Sequence, residues 1–157
     1  MIAVIQRVNN ATVYADGIIS GSIGKGLYIL LGVTNTDTDE DARLLAEKVS
    51  KLRIFSDDNG KMNLSVMDVD GEIMVVSNFT LNANYSHGNR PDYFSSAKPD
   101  EANRLYEHFK ELMAQKTKQL ACGVFGADMR TEMSTDGPVT IVMDSCILKG
   151  GKNDTSS

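Results

Sequence analysis

The sequence predicts a single α+β domain in which several β-strands pack against two main helices. Its length of 157 residues is typical of one domain and is enough to bury about 68–70% of the unfolded surface. Segments of strand length recur along the chain. In some of them apolar residues alternate with polar ones, and in others the apolar residues are continuous. Two other segments repeat apolar residues at three- and four-residue steps, which indicates amphipathic helices.

The first third of the chain is predicted to form strands. Residues 2–8 and 11–15 alternate apolar with polar or small residues, as half-buried strands do. Asp16-Gly17 then signals a hairpin turn because glycine tolerates a positive φ, which makes residues 18–23 the return strand. The unbroken apolar run 27–33 predicts a strand that is buried on both faces.

The two helices are marked by their first turns and by their apolar faces. The acidic segment 36–41 offers N-cap residues and favourable charge for the positive end of a first helix. Pro99 suits the first turn of a second helix, which is expected to end near Gln115. The apolar faces are Ala42, Leu45, Val49 and Leu52 in the first helix and Leu105, Phe109, Leu112 and Met113 in the second.

The remaining segments complete one domain over residues 1–148. A buried strand at 73–76 runs on into 77–81, and two more strands are expected near 122–125 and 139–144, with a turn at 136–138 before the last. The polar, aperiodic segment 82–98 is predicted to be a long loop, and such loops are usually functional. Residues 149–157 offer no apolar anchor and are predicted to form a flexible tail.

Composition excludes several classes of function. The net charge is −5, from 16 basic and 21 acidic residues, which argues against broad binding to phosphate backbones but leaves room for a nucleic-acid end held in a pocket. Cys122 and Cys146 form no C-x-x-C pair, so we expect neither a metal nor a cofactor. No run approaches the roughly 18 apolar residues of a membrane span and no signal peptide is evident, so we expect a cytoplasmic protein.

Two places break the pattern of the predicted strands. Ser77-Asn78-Phe79-Thr80 brings hydroxyls, an amide and an aromatic ring to a strand end, either as a site or as ordinary cross-strand partners. Gly137-Pro138 is either a plain trans turn or a place of unusual backbone geometry. His87 could in principle act as a base for Thr80 or Ser77, but no G-x-S-x-G elbow surrounds either hydroxyl.

At these two places the sequence resembles the D-aminoacyl-tRNA deacylases. Ser77-Asn78-Phe79-Thr80-Leu81 matches the family's Ser-Gln-Phe-Thr-Leu in four of five positions. Thr135-Asp136-Gly137-Pro138-Val139-Thr140 matches Asn-x-Gly-Pro-Val-Thr except at its first position. Other similar stretches follow in order between residues 1 and about 142, among them Ile5-Gln6-Arg7-Val8, Arg53-Ile54-Phe55-Ser56-Asp57, Arg90-Pro91 and Ala127-Asp128-Met129.

The resemblance implies a homodimer with a β-barrel-like, mixed or antiparallel sheet and two main helices packed outside. It implies hydrolysis of the ester that joins a D-amino acid, or glycine, to the 3′-terminal adenosine of tRNA, with no membrane involved. In the family the Gly-Pro bond is cis, and its two carbonyl oxygens enter the active site of the opposite subunit. Gly137 and Pro138 would then exclude an L side chain where a D residue places only hydrogen.

The resemblance also implies roles for the first motif, Ser77 to Thr80. Backbone N–H groups near Phe79 and Thr80 would hold the ester carbonyl, while water attacks with help from the tRNA 2′-OH. The rival role is a nucleophilic Thr80 hydroxyl, which ranks second because nothing in the sequence supplies a base. Phe125 is assigned to the adenine pocket by its aromatic character, with a core phenylalanine as the alternative.

Two departures from the family pattern and two rival functions remain. Asn78 is one methylene shorter than the family's glutamine, and Thr135 replaces an asparagine before the Gly-Pro turn. The first rival function is a deacylase that clears L-alanine or glycine from the wrong tRNA. The second is a nucleic-acid-binding module without catalysis.

Overall fold

The computed structural model describes residues 1–150 as one mixed sheet, a small two-stranded sheet and outer helices. Residues 151–157, most of the predicted tail, lie outside the described residues. The strands are β1 (Ile2–Ala15), β2 (Ile18–Ile23), β3 (Gly26–Gly32), β4 (Phe55–Ser56), β5 (Met62–Leu64), β6 (Glu72–Ser77), β7 (Leu120–Cys122) and β8 (Met129–Asp144). The helices are α1 (Asp39–Lys51), α2 (Pro99–Ala114) and α3 (Ser145–Lys149), with a 3₁₀ turn at Phe79–Asn82.

The long strand β1 organises the main sheet. Its first half pairs antiparallel with β3 and its second half with β2, while β8 runs antiparallel along its other edge through both halves. β6 lies parallel to β3, and β7 lies parallel to β6. The sheet is therefore mixed, in the order β2-β1-β3-β6-β7 with β8 beside β1.

Side chains bring the two ends of this sheet almost together. Ser20 Oγ on β2 donates to the carbonyl of Cys122 on β7 at 2.7 Å, and Gln119 Nε2 donates to the carbonyl of Ser22 at 3.1 Å. The two edges approach so closely at Gly21 that a Cβ there would lie 2.9 Å from Ala121 Cβ. The predicted barrel-like mixed sheet is confirmed, and a homodimer stays a prediction.

Both faces of β3 and β6 are buried, as the apolar run 27–33 predicts. Alternate residues of these strands face the helices, where they pack with Leu45 and Val49 of α1 and with Leu105 and Phe109 of α2. The other alternate residues face the interior of the barrel and pack with Val8 and Val13 of β1. The core therefore consists of two apolar clusters, one on each face of the sheet.

Two local predictions about secondary structure are wrong, and one short helix is missing from the predictions. β6 ends at Ser77, and the residues expected to extend it form the 3₁₀ turn, because the Asn78 side chain caps that turn through the Thr80 N–H. β7 ends at Cys122 rather than near Phe125. The short helix α3 is not anticipated at all, since five residues carry no helical period.

The predicted turn at 136–138 is also wrong, because it lies inside the single 16-residue strand β8. Pairing with β1 steps from Gln6 opposite Thr140 to Val8 opposite Thr135, so residues 136–139 leave the ladder as a bulge opposite Arg7. Proline has no N–H to donate to a ladder, which suits it to a bulge. The long β1–β8 ladder on both sides of the bulge therefore outweighs the local turn signal.

A buried carboxylate joins α1 to α3. Asp41 is 1% exposed, and its oxygens accept hydrogen bonds from Ser145 Oγ at 2.7 Å and from Lys149 Nζ at 2.8 Å. The backbone N–H of Thr38 is a third donor, at 2.8 Å. Burial alone would raise the pKa of Asp41, but the hydrogen bonds from Lys149, Ser145 and Thr38 outweigh it and hold that pKa well below its ordinary value.

The Asp41→Asn variant is expected to lose about 2–3 kcal/mol of unfolding free energy, because it removes the buried charge from this network. A pKa lowered by folding stabilises the protein above the unfolded-state pKa near 4. The difference between wild type and variant should be full above about pH 5 and shrink as the pH falls below 4. Urea unfolding from pH 3 to 7 checks this. Glu40→Gln, at an exposed pair with Arg43, is the control and should change little; a wild-type-to-Asp41→Asn gap independent of pH would contradict the account.

Candidate active site

A cavity of about 780 Å³ opens where β3 and β6 end, against the start of α2. Its lining is mostly apolar, with a few hydroxyl and amide groups among the apolar side chains. Such a cavity is the usual form of a small-ligand site. The structure brings five of the predicted site residues together in this lining, namely Ser77, Asn78, Phe79, Thr80 and Phe125.

Asn78 and Thr80 form a closed hydrogen-bonded unit at the strand end. The backbone N–H of Asn78 donates to the carbonyl of Leu31 at 2.8 Å, which extends the contact between β6 and β3 by one residue. Asn78 Oδ1 then accepts both the Thr80 N–H at 3.2 Å and the Thr80 hydroxyl at 2.5 Å. With its proton donated to Asn78, the Thr80 oxygen keeps its lone pairs as acceptors for a further hydrogen bond.

The Phe79 N–H lies between these two residues and has a different environment. Within residues 1–150, that N–H donates no hydrogen bond to the protein. The Phe79 side chain is 60% exposed, and its ring meets the edge of Tyr93 at 5.0 Å between centroids. Of the two backbone N–H groups expected to hold the ester carbonyl, that of Thr80 is therefore already hydrogen-bonded to Asn78.

Phe125 occupies a position between the cavity and the core. It lines the cavity and is partly buried against the helix-side core cluster. Its ring lies 6.1 Å from that of Tyr106, tilted by 37°. The interpretation as a core phenylalanine describes part of this environment, and a contact with adenine stays a prediction.

The sequence did not indicate three hydroxyl groups that also line the cavity, those of Tyr28, Tyr106 and Thr131. Tyr28 OH and Thr131 Oγ1 are hydrogen-bonded at 2.8 Å, and Tyr106 OH donates to the carbonyl of Val75 at 2.9 Å. Burial raises the pKa of Tyr28, which the hydrogen bond from Thr131 partly offsets, and burial likewise raises the pKa of Tyr106. The signal for Tyr28 is a polar-tipped residue inside an otherwise apolar strand.

Among the described residues, the Thr80 hydroxyl has the Asn78 amide as its hydrogen-bond partner and no carboxylate or imidazole. Among the described lining residues, Asp128 is the only carboxylate, and no histidine, lysine or arginine contributes. His87 is exposed and is not part of the lining. The amide oxygen of Asn78 accepts a hydrogen bond but does not take a proton as a base does.

Gly137 and Pro138 lie outside this cavity, at the exposed bulge of β8. The bond between them is cis, the isomer that the resemblance implies. Gly137 has a φ of 131°, and a Cβ there would meet the backbone nitrogen of Val139 at 2.7 Å. The position therefore requires glycine.

Arg7 binds the first residue of the bulge, Asp136. Its Nε lies 3.3 Å from the carbonyl oxygen of Asp136 and 3.1 Å from that residue's Oδ2. Its Nη1 donates to the carbonyl of Ile54 at 2.7 Å. With only 11% of its side chain exposed, Arg7 fixes the start of the bulge against the body of the domain. Thr135 is exposed and pairs with Val8 just before it.

Within residues 1–150, no three His, Cys, Asp or Glu side chains lie close enough together to hold a metal ion. Over the same residues, no helix has the length and apolar character needed to cross a membrane.

Comparison with known protein families agrees with the resemblance that the motif lining this cavity indicates. A family model described as D-Tyr-tRNA(Tyr) deacylase matches residues 4–144. The chain belongs to the D-Tyr-tRNA(Tyr) deacylase family. The predictions of this family and of an enzyme, a hydrolase, are thereby confirmed.

Two curated relatives match nearly the whole chain. A D-aminoacyl-tRNA deacylase of Caldicellulosiruptor saccharolyticus is 50% identical over 145 residues, which are 92% of this chain and 97% of that protein. One of Parabacteroides distasonis is 51% identical over 146 residues, with the same coverage.

Two solved structures share the fold of this chain. A structure titled c-Myc DNA Unwinding Element Binding Protein superposes with a TM-score of 0.86 at 37% identity, over 92% of this chain and 98% of that one. A probable eukaryotic D-amino acid tRNA deacylase superposes with a TM-score of 0.79 at 14% identity, over 91% and 98%. At that identity the second likeness concerns the fold alone.

Proposed function

We propose that this protein hydrolyses the ester between a D-amino acid, or glycine, and the 3′-terminal adenosine of tRNA, as a homodimer in the cytoplasm. The observation that carries the proposal is the cavity at the end of β6, which collects the whole Ser77-to-Thr80 motif of the family. Family members about 50% identical over most of the chain bear the name of this activity. The cavity is also mostly apolar, which suits a nucleoside with an attached amino acid.

The Phe79 N–H is the proposed donor for the ester carbonyl. It makes no hydrogen bond within the described residues, and a fixed donor stabilises the charge that develops on the carbonyl oxygen. Water adds to the carbonyl carbon, and the bond from that carbon to the ribose 3′-oxygen breaks. The tRNA 2′-OH relays the proton from the water to the departing 3′-oxygen, because the described group that bonds to the Thr80 hydroxyl is the Asn78 amide, which is not a base.

Thr80 is proposed to bind the substrate rather than attack it. Its hydroxyl proton is held by Asn78 Oδ1 at 2.5 Å, so the oxygen is oriented to accept a hydrogen bond from the α-ammonium group of the amino acid. A nucleophilic threonine needs a neighbouring base to take its proton, and an amide is not one. Phe125, which lines the cavity beside Tyr106, is proposed to contact the adenine.

The bulge of β8 is proposed to act as the gate for chirality in the cavity of the opposite protomer. Gly137 and Pro138 are exposed and do not line the cavity of their own chain, so they are available to a second copy. If the amino group and the ester are both held, the L side chain must point where a D residue carries hydrogen. Main-chain carbonyl oxygens fixed at that point exclude the L side chain and leave D residues and glycine unaffected.

The wild-type protein is expected to release D-tyrosine from D-Tyr-tRNA and glycine from Gly-tRNA while leaving L-Tyr-tRNA and L-Ala-tRNA intact. Single-turnover hydrolysis of the four substrates measures this. Turnover of L-Ala-tRNA without D-Tyr-tRNA would favour the L-alanyl deacylase instead. Binding of tRNA without hydrolysis of any of the four would favour the nucleic-acid-binding module.

The Arg7→Ala variant is expected to lose discrimination, because the bulge is no longer held at Asp136. Its ratio of D-Tyr-tRNA to L-Tyr-tRNA hydrolysis should fall by about 10-fold or more, which corresponds to at least about 1.4 kcal/mol. Arg53→Ala is the matched control, since Arg53 also hydrogen-bonds a backbone carbonyl, that of Asn63 on β5, but makes no hydrogen bond to the bulge. An unchanged ratio in a folded Arg7→Ala protein would contradict the gate.

The Thr80→Ala variant separates the two roles of this residue. Loss of a hydrogen bond to the substrate ammonium should raise KM by about 10- to 100-fold and change kcat by less than about 10-fold. Loss of a nucleophile would lower kcat by about 10⁴-fold or more. Thr80→Ser keeps the hydroxyl and is the control expected to behave like the wild type. A collapse of kcat in Thr80→Ala alone would establish the covalent route.

A further inference from the structure

Four aromatic side chains, here named the aromatic rim, lie on the 3₁₀ turn and the loop that follows it, a segment that contributes Phe79, Ser96 and Ala97 to the cavity lining. They are Phe79, Tyr85, Tyr93 and Phe94. Phe94 is 87% exposed, Tyr85 79% and Phe79 60%. Single exposed apolar residues are common on protein surfaces, but several large rings on one short segment call for a physical explanation.

The exposure of these rings does not come from a loosely attached backbone. Asn84 and Asp92 exchange two backbone hydrogen bonds, both of 2.9 Å, which close the base of the loop. Beyond Asp92, the N–H of Asn35 donates to the carbonyl of Ser95 at 2.8 Å, and Ala97 N–H donates to the carbonyl of Val33 at 3.1 Å. The rings are therefore held outward by a backbone that is fixed on both sides of them.

The aromatic rim is continuous with the cavity. Phe79 belongs to both, and its ring contacts that of Tyr93 at 5.0 Å between centroids. Ser96 and Ala97, just after Phe94, also line the cavity. A molecule whose end occupies the cavity and whose remainder extends toward this loop would meet the aromatic rim.

The charge of the loop differs in sign from that of the whole chain. Residues 82–98 contain Arg90 and Lys98 against the single acid Asp92, two minus one, or +1 with His87 neutral. The chain as a whole carries −5. Positive charge beside exposed rings is the combination by which proteins bind single-stranded nucleic acid, since the rings stack on bases and the cations meet the phosphates.

We propose that the aromatic rim binds the unpaired nucleotides that precede the terminal adenosine of the RNA. The inference rests on the proposed function, in which that adenosine and its amino acid fill the cavity. The strand must then leave the cavity, and unpaired bases at an RNA end are free to stack on aromatic side chains. Tyr85 and Phe94 supply stacking faces outside the cavity, and Arg90 and Lys98 lie on the same loop to meet the backbone phosphates.

The experiment compares the affinity of the protein for the trinucleotide cytidine-cytidine-adenosine and for adenosine 5′-monophosphate, by calorimetry at fixed salt. The wild type should bind the trinucleotide at least about 5-fold more tightly, the lower limit for one stacked base. The double variant Tyr85→Ala/Phe94→Ala should lose this advantage and keep the affinity for the mononucleotide, which also shows that it is folded. Ile18→Ala, at a 74% exposed side chain of β2, is the control and should bind both ligands as the wild type does.

Three results would overturn the proposal. The wild type could show no advantage for the trinucleotide, or the double variant could retain it. Alternatively, sedimentation could show that the double variant loses the oligomeric state of the wild type, which would make the aromatic rim an interface between copies. Because binding is measured without catalysis, a failure of the proposed function, seen as no hydrolysis of D-Tyr-tRNA, is distinguishable from a failure of this inference.

Discussion

The pairing of β8 along the whole of β1 is the constraint on which the rest of the structure depends. β1 spans 14 residues and β8 spans 16, and the two are in register on both sides of Arg7. Residues 136–139 have no place in that ladder and must project from it. Arg7, anchored to the carbonyl of Ile54, then fixes the projection at Asp136. A rigid, exposed loop of main chain is the consequence, and it is what the proposed gate requires.

The cavity has a separate origin at the end of β6. There the Asn78 side chain bonds to Thr80 and turns the chain into a 3₁₀ turn instead of letting the strand continue. The same hydrogen bonds engage one backbone donor and the Thr80 proton, while the Phe79 N–H stays available. Asn78 is also one of the two positions at which the sequence departs from the motifs that it otherwise resembles. Its short side chain suits this cap, because a side-chain oxygen three bonds from the Cα closes onto the N–H two residues later.

The sequence predicted the parts of the fold that repeat a period. Both main helices, the first hairpin and the strand buried on both faces follow from the spacing of apolar residues, and the barrel-like sheet follows from the resemblance. The bulge of β8 could not be predicted in the same way. Gly137-Pro138 is a strong local turn signal, and only the pairing of distant strands, here β1 with β8, overrides it. Helix α3 depends likewise on long-range contacts, among them Lys149 with Asp41.

The candidate site was likewise predictable only in part. Five residues of the cavity lining could be predicted from the sequence and the resemblance, namely Ser77, Asn78, Phe79, Thr80 and Phe125. Tyr28 and Thr131 could not, since nothing local indicates that residues 103 positions apart share a hydrogen bond across the barrel. The detail that decides between chemical roles, which atom holds the Thr80 proton, is likewise a matter of side-chain geometry.

A crystal structure with a non-hydrolysable amide analogue, 3′-deoxy-3′-(D-tyrosylamino)adenosine, tests the central claim most directly. The account predicts the adenosine and tyrosyl group in the cavity, the ligand carbonyl on the Phe79 N–H, and the carbonyl oxygens of residues 137 and 138 from a second protomer against the α-carbon. The side chain of the D-tyrosine should point to solvent. A ligand seated in the cavity with both bulges remote from its α-carbon would contradict the account, because nothing would then stand where an L side chain must go.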